Sequence, residues 1–122
     1  MVIEALKDRK VKVDDLEHLT STEKESVKEL LEFVSTKVKA TTILHGEKVR
    51  GEQSTDKSYI ELLILADETT EEINKSITSK TKEINKRNDF LLLAVAPFDK
   101  EFLNEFHSLR EEILREGIIV IH

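Results

Sequence analysis

Apolar residues along this chain recur with two different periods. Val27, Leu30, Leu31, Val34 and Val38 are spaced three and four apart, which predicts an amphipathic helix over about 22–38. Its opposite face, with Lys24, Lys28, Glu32 and Ser35, is expected in water. Just ahead of it, Thr20-Ser21-Thr22-Glu23 sets a hydroxyl three residues before a glutamate, the pattern of a capping box. Ala40–Leu44, Tyr59–Ala66 and Phe90–Ala96 read instead as strands. The second is almost unbroken in apolar residues, as a strand covered on both faces should be. Pro97 cannot donate to a ladder and ends the third, and Leu63 and Leu92 are expected in central strands. Between the second and third strands, a capping stretch from Asp67 to Thr70 opens a helix to about Arg87. Its narrow stripe is Ile73, Ile77 and Ile84, and Asn88 is its stop.

Asp99 is expected to cap a short helix through about Phe106, and Ser108 to start another. The latter would turn Leu109 and Ile113 inward, with Arg115 near its negative end and Gly117 as its C-cap. Ile118–Ile121 is a last short strand. Residues 1–20 fit two readings: Val2, Ile3 and Leu6 suit a short helix, while Val11 and Val13 alternate with lysines as in a short edge strand. Strands alternating with helices predict an α/β (α+β) fold around a mixed sheet, with one domain over 1–122 and residues 1–20 as its N-terminal extension.

Composition narrows this picture. The chain has 122 residues, 39% apolar and 36% charged, with a net charge of −6. That balance argues against broad attraction to nucleic acid, so a nucleic-acid partner is not expected. No apolar run reaches membrane-spanning length and no signal-peptide core stands at the N-terminus, so a cytoplasmic protein away from membranes is expected. There is no cysteine, which removes disulfide and thiolate chemistry.

The stretch Ile43-Leu44-His45-Gly46-Glu47-Lys48-Val49-Arg50-Gly51, followed by Tyr59-Ile60-Glu61-Leu62-Leu63, carries the main functional signal. A strand broken at a glycine, an Arg-Gly a few residues on, and an Ile-acid-Leu-Leu strand resemble the core of the minimal nucleotidyltransferases of the DNA polymerase β superfamily. The ending Leu109-Arg110-Glu111-Glu112-Ile113-Leu114-Arg115-Glu116-Gly117-Ile118 is similar to their closing segment. The resemblance spans roughly residues 20–122.

It implies a nucleotidyltransferase-like fold with a phosphate loop at Gly46, Glu47, Lys48, Arg50 and Gly51. It also implies metal carboxylates at the positions of Tyr59 and Glu61. Here the chemistry departs from the frame. Nucleotidyl transfer needs cations to neutralise phosphate charge in flight, and two carboxylates at i and i+2 on one strand face can share such a metal. Tyr59 is a neutral phenol and a poor Mg²⁺ ligand, which leaves Glu61 alone. The Phe90–Val95 strand adds no third acid, and Asp89 stands only at its start. Glu47 replaces the serine that would grip the triphosphate. A carboxylate about 4 Å from a phosphate oxygen costs on the order of 4 kcal/mol at an effective dielectric near 20.

Catalytic and metal residues are therefore expected to be lacking, Tyr59 and Glu61 being relic positions, and neither Mg²⁺ nor ATP is expected as a cofactor. Gly46 and Gly51 are then expected to serve turn geometry, and Lys48 and Arg50 to be solvated charges. A carboxylate at Glu61 on a central strand needs a wet cleft or a pair with Lys48 or Arg50. His45 reads as a strand-end histidine, and His18, His107 and His122 share no ligand spacing with it. Phe90, Phe98, Phe102 and Phe106 read as core.

The resemblance also implies a partner, since minimal nucleotidyltransferase domains often pair with a small helical protein of the HEPN type as antitoxin and toxin. One alternative is an active Mg²⁺-dependent nucleotidyltransferase using Glu61 with Asp56 or Asp67. The other is a self-associating structural protein, a homo-oligomer paired through Ile118–Ile121 or Val11–Val13.

Overall fold

The computed structural model describes residues 2–52, 58–97 and 102–122. The chain runs through α1 (Val2–Leu6), β1 (Lys10–Lys12), a 3₁₀ turn (Val13–Asp15), α2 (Ser21–Ser35), β2 (Ala40–His45) and α3 (Glu47–Arg50). It continues through β3 (Tyr59–Ala66), α4 (Glu71–Lys86), β4 (Leu91–Val95), α5 (Phe102–Glu105), α6 (His107–Glu116) and β5 (Ile118–Ile121). The fold is a mixed α/β arrangement about a five-stranded sheet of order β1-β5-β2-β3-β4. β2 lies antiparallel to both β3 and β5, whereas β3–β4 and β1–β5 are parallel. No described helix is long and apolar enough to cross a membrane.

Alternation along the strands divides the core between two sheet faces. Leu44, Ile60, Leu62, Ile64, Leu92 and Val120 pack with Val27, Leu30 and Val34 of α2 and Ile77 and Ile84 of α4. Ile43, Leu63 and Ile119 pack on the other face with Leu6 of α1, Leu103 of α5 and Ile113 of α6. Helices on both faces explain why Ile60, Leu62, Leu63 and Ile64 of β3 are all buried, which a one-sided sheet would not allow.

Local chemistry sets the helix ends. At Thr20 both halves of the capping box form: the side chain accepts from the Glu23 amide at 3.2 Å, and Glu23 Oε1 accepts from the Thr20 amide at 2.8 Å. Thr70 caps α4 in the same way, accepting from the Ile73 amide at 3.2 Å. α2 stops at Ser35 rather than near Val38, because the Ser35 and Thr36 hydroxyls donate to the Glu32 and Phe33 carbonyls and close the last turn.

The sheet order revises several expectations. Ile118–Ile121 is not an edge, since β5 is held between β1 and β2, so it offers nothing for self-pairing. The N-terminal edge strand is Lys10–Lys12, and Val13 leaves it for the 3₁₀ turn with its side chain fully buried. β4 is an edge strand, not a central one, although Leu92 is only 1% exposed. The last helix starts at His107, one residue before Ser108, and no side chain caps it. Phe106 is not core: it is 51% exposed, with its ring stacked on Phe102 at 4.6 Å between centroids. The expected cap at Asp99 and the core position at Phe98 lie outside the described residues.

α4 caps the outer edge of β4 at two points. The Asn85 side chain accepts from the Leu92 amide at 2.7 Å and donates to the Leu92 carbonyl at 3.0 Å. Asn74 donates to the Ala96 carbonyl at 2.7 Å. Edge strands leave such groups open to another chain, and here two asparagines three helical turns apart occupy those of Leu92 and the carbonyl of Ala96, leaving Ala94 between them.

Candidate functional site

The first part of the β2–β3 connection, from Gly46 to Gly51, is a helical turn rather than a polar loop. Gly46 ends β2 at φ 83° and ψ −148°, a region open essentially to glycine, and the backbone then turns into α3. Gly51 closes that turn in the left-handed conformation at φ 74°, its amide donating to the Glu47 carbonyl at 2.8 Å. Gly46 also makes room for a neighbour: a Cβ there would stand 1.6 Å from Glu61 Oε2. Glu61 faces His45 directly across the β2–β3 ladder, so its carboxylate lies against the glycine backbone. Both glycines hold a positive φ that the turn requires.

Gly46→Ala is expected to cost about 1–3 kcal/mol from the backbone conformation alone. Adding Glu61→Ala should relieve the collision and leave that part of the loss in place. Urea unfolding of the single and double variants measures this, and a double variant as stable as the parent would refute the backbone term.

The two loop cations are committed, but not to Glu61. Lys48 Nζ lies 3.0 Å from Glu23 Oε2, and both side chains are largely buried. Ser58, at the start of β3, donates its hydroxyl to the same oxygen at 2.8 Å. Glu23 therefore ties together the start of α2, α3 and the start of β3. Burial pushes its carboxyl up. The Thr20 amide, the Ser58 hydroxyl and Lys48 outweigh that and hold it below the usual glutamate value.

Arg50 bonds Glu52 at 3.0 Å and Glu116 at 2.7 Å, and these carboxylates raise its already high pKa further. The expectation of solvated charges fails for Lys48 and is half met by Arg50, which is paired yet about one-third exposed.

The closing helix completes the site. Glu112 and Glu116 lie one turn apart on α6 and reach the β2 end together. Glu116 Oε1 accepts the Gly46 amide at 3.0 Å along with the Arg50 guanidinium. His45 is buried, and its Nδ1 lies 2.6 Å from Glu112 Oε2. The two share one hydrogen bond. Glu112 and Glu116 stand in the closing segment of the sequence, 61 or more positions beyond Gly51, with nothing local to tie them to the loop. Their i, i+4 spacing was the one available signal.

Tyr59 and Glu61 do share a face of β3, as i and i+2 must, and both are half-buried. Asp67 follows the far end of β3 from Glu61, and Asp56 lies outside the described residues. Among the described residues, no group of three or more His, Cys, Asp and Glu side chains is arranged to hold a metal ion. Glu47 is 8% exposed, so its side chain points into the protein. Chemically, the site is a glycine turn whose backbone donor and guanidinium already hold a carboxylate, beside an acid on an open strand face. Comparison with models of known protein families finds no match, and no curated protein matches the chain.

Proposed function

We propose that this chain is a nucleotidyltransferase-like binding protein that does not transfer nucleotides and acts by occupying a partner, in the manner of an antitoxin against a helical HEPN-type protein. The observation that carries the non-catalytic part is the position of Glu116. Its carboxylate takes the Gly46 amide and Arg50, the donors an incoming phosphate would need. A polyphosphate must displace it or approach it, and two like charges about 4 Å apart repel by on the order of 4 kcal/mol at an effective dielectric near 20. Tyr59 and Glu61 supply one carboxylate where metal-assisted transfer wants two. The reading of an active enzyme with Asp67 as second ligand is weakened by the length of β3, which separates that residue from Glu61.

Calorimetric titration of the chain with Mg²⁺ and ATP is expected to give no saturable heat. Micromolar, Mg²⁺-dependent binding overturns the non-catalytic reading. Co-expression with a HEPN-type protein encoded beside it is expected to yield a stoichiometric complex. Failure of the two to co-purify counts against the antitoxin-like role.

A further inference from the structure

The helices on the second sheet face leave part of it uncovered. Leu103 and Ile113 cluster with Ile43, Leu63 and Ile119, so cover stops at the Leu63 column of β3. In the parallel β3–β4 register, Tyr59 stands beside Leu91, Glu61 beside Leu93 and Leu63 beside Val95. All of these point to the same side. Leu93 is 43% exposed and Val95 48%, while Tyr59, Glu61 and Leu91 are half-buried. This is an apolar sheet face two strands wide with a carboxylate in its middle row.

Among the described residues no cation is paired with that carboxylate. Lys48 is held by Glu23, and Arg50 by Glu52 and Glu116. Among the described residues Glu61 has no ion pair or hydrogen bond, and its carboxylate rests on the Gly46 backbone. Glu112 and Glu116 at the same end of β2 are already engaged by His45 and by Arg50, so Glu61 is the carboxylate an occupant meets. An occupant of this face therefore gains from a positive charge set between apolar groups.

The geometry also says what shape that occupant has. An added strand would pair with the outer edge of β4, but Asn85 fills both backbone groups of Leu92 and Asn74 fills the carbonyl of Ala96. The outward groups of Ala94 between them are too short a run for a strand to add to, so the open apolar surface is reached from above the sheet. A helix lying across two strands is how such a face is ordinarily covered, as α2 and α4 cover the opposite one.

We infer that the open face of β3 and β4 is the docking surface for an amphipathic helix of a partner protein, whose apolar stripe carries a lysine or arginine opposite Glu61. This deepens the proposed binding role and rests on it. Leu91, Leu93 and Val95 receive the stripe, and Glu61 selects the charge.

Helical peptides displayed on phage, randomised along one face of about three turns, test the inference by selection against the full chain. Enriched peptides are expected to carry a basic residue flanked by apolar ones. Binding of a selected peptide to the chain with Leu93→Asp should weaken about thirtyfold or more, as loss of a central contact does. Val95→Asp should act in the same direction. Both positions face solvent, so both variants should fold. Glu61→Lys should reverse the preference, favouring the same peptide with its basic residue changed to glutamate.

The inference is overturned if no helical peptide is enriched, if enriched peptides ignore both aspartate variants, or if they bind as extended strands. It is equally overturned if light scattering shows the parent chain to be a dimer that Leu93→Asp dissociates, because the occupant is then a second copy. Tight Mg²⁺–ATP binding by the parent would sink the non-catalytic reading and leave peptide docking standing. Absent peptides with no nucleotide binding would sink only the docking surface.

Discussion

Glu23→Ala should be the most damaging single substitution in the polar part of the molecule, at about 3–5 kcal/mol. The carboxylate is 2% exposed and accepts from the Thr20 amide, the Ser58 hydroxyl and Lys48. Its removal opens the cap of α2, strands the Ser58 donor and leaves the Lys48 ammonium without its counter-charge. Desolvation of the surviving partner, more than loss of the attraction itself, makes breaking such a pair expensive. Replacing both partners, Glu23→Gln with Lys48→Met, should therefore cost clearly less than Glu23→Ala. Urea denaturation of the set measures the coupling. A loss below about 1 kcal/mol for the alanine variant would mean that the pair behaves as a surface one.

The same carboxylate gives stability a pH dependence whose sign is determined. Glu23 has a lower pKa folded than its ordinary value of 4.5, so the folded state prefers the ionised form. Its contribution is complete above that value and is lost as pH falls through it towards the folded pKa. The parent chain should lose stability on acidification below about pH 4.5, and Glu23→Gln should flatten that slope. Glu29, held low by Arg87 and Lys80, acts in the same direction, but its partial exposure keeps the effect small.

The second large effect is expected at Leu92. Leu92→Ala should cost about 2–5 kcal/mol, because the residue is 1% exposed and belongs to the cluster formed with Leu62, Ile84 and Phe90. An edge strand would ordinarily soften such a loss, since one of its sides is free to adjust. Here Asn85 pins both backbone groups of Leu92, which keeps the cavity from collapsing. Leu93→Ala, one residue on, should stay within about 0.5 kcal/mol, because that side chain faces outward at 43% exposure. Unfolding midpoints of the two variants give the comparison directly. Similar losses at both positions would contradict the alternation of faces along β4.

Much of the secondary structure was legible because it is written in local spacing. β3 begins and ends where the apolar run does, from Tyr59 to Ala66. α2 and α4 start directly after the hydroxyl caps Thr20 and Thr70. Those features depend on neighbours within a few residues, and so does the shared face of Tyr59 and Glu61. The mixed α/β class also followed from the order of the elements.

What the sequence could not supply depends on pairs far apart in the chain. Sheet order is one example: nothing in Ile118–Ile121 says that it inserts between β1 and β2, so an interior strand read as an edge and β4 read as central. The partners of charged residues are another. Lys48 takes Glu23, 25 positions away, and Gly46 and Arg50 take Glu116, 70 and 66 positions away. Many carboxylates along the chain could have served, and only the packing of α6 against β2 selects among them. By itself, then, the sequence determined the longer helices and strands, α2, β2, β3, α4 and β4, and which residues share a strand face. The tertiary structure alone decided that the glycine turn is filled by the chain's own carboxylate and that Glu61 stands on an open face, because charge pairing and burial are properties of what the fold brings together.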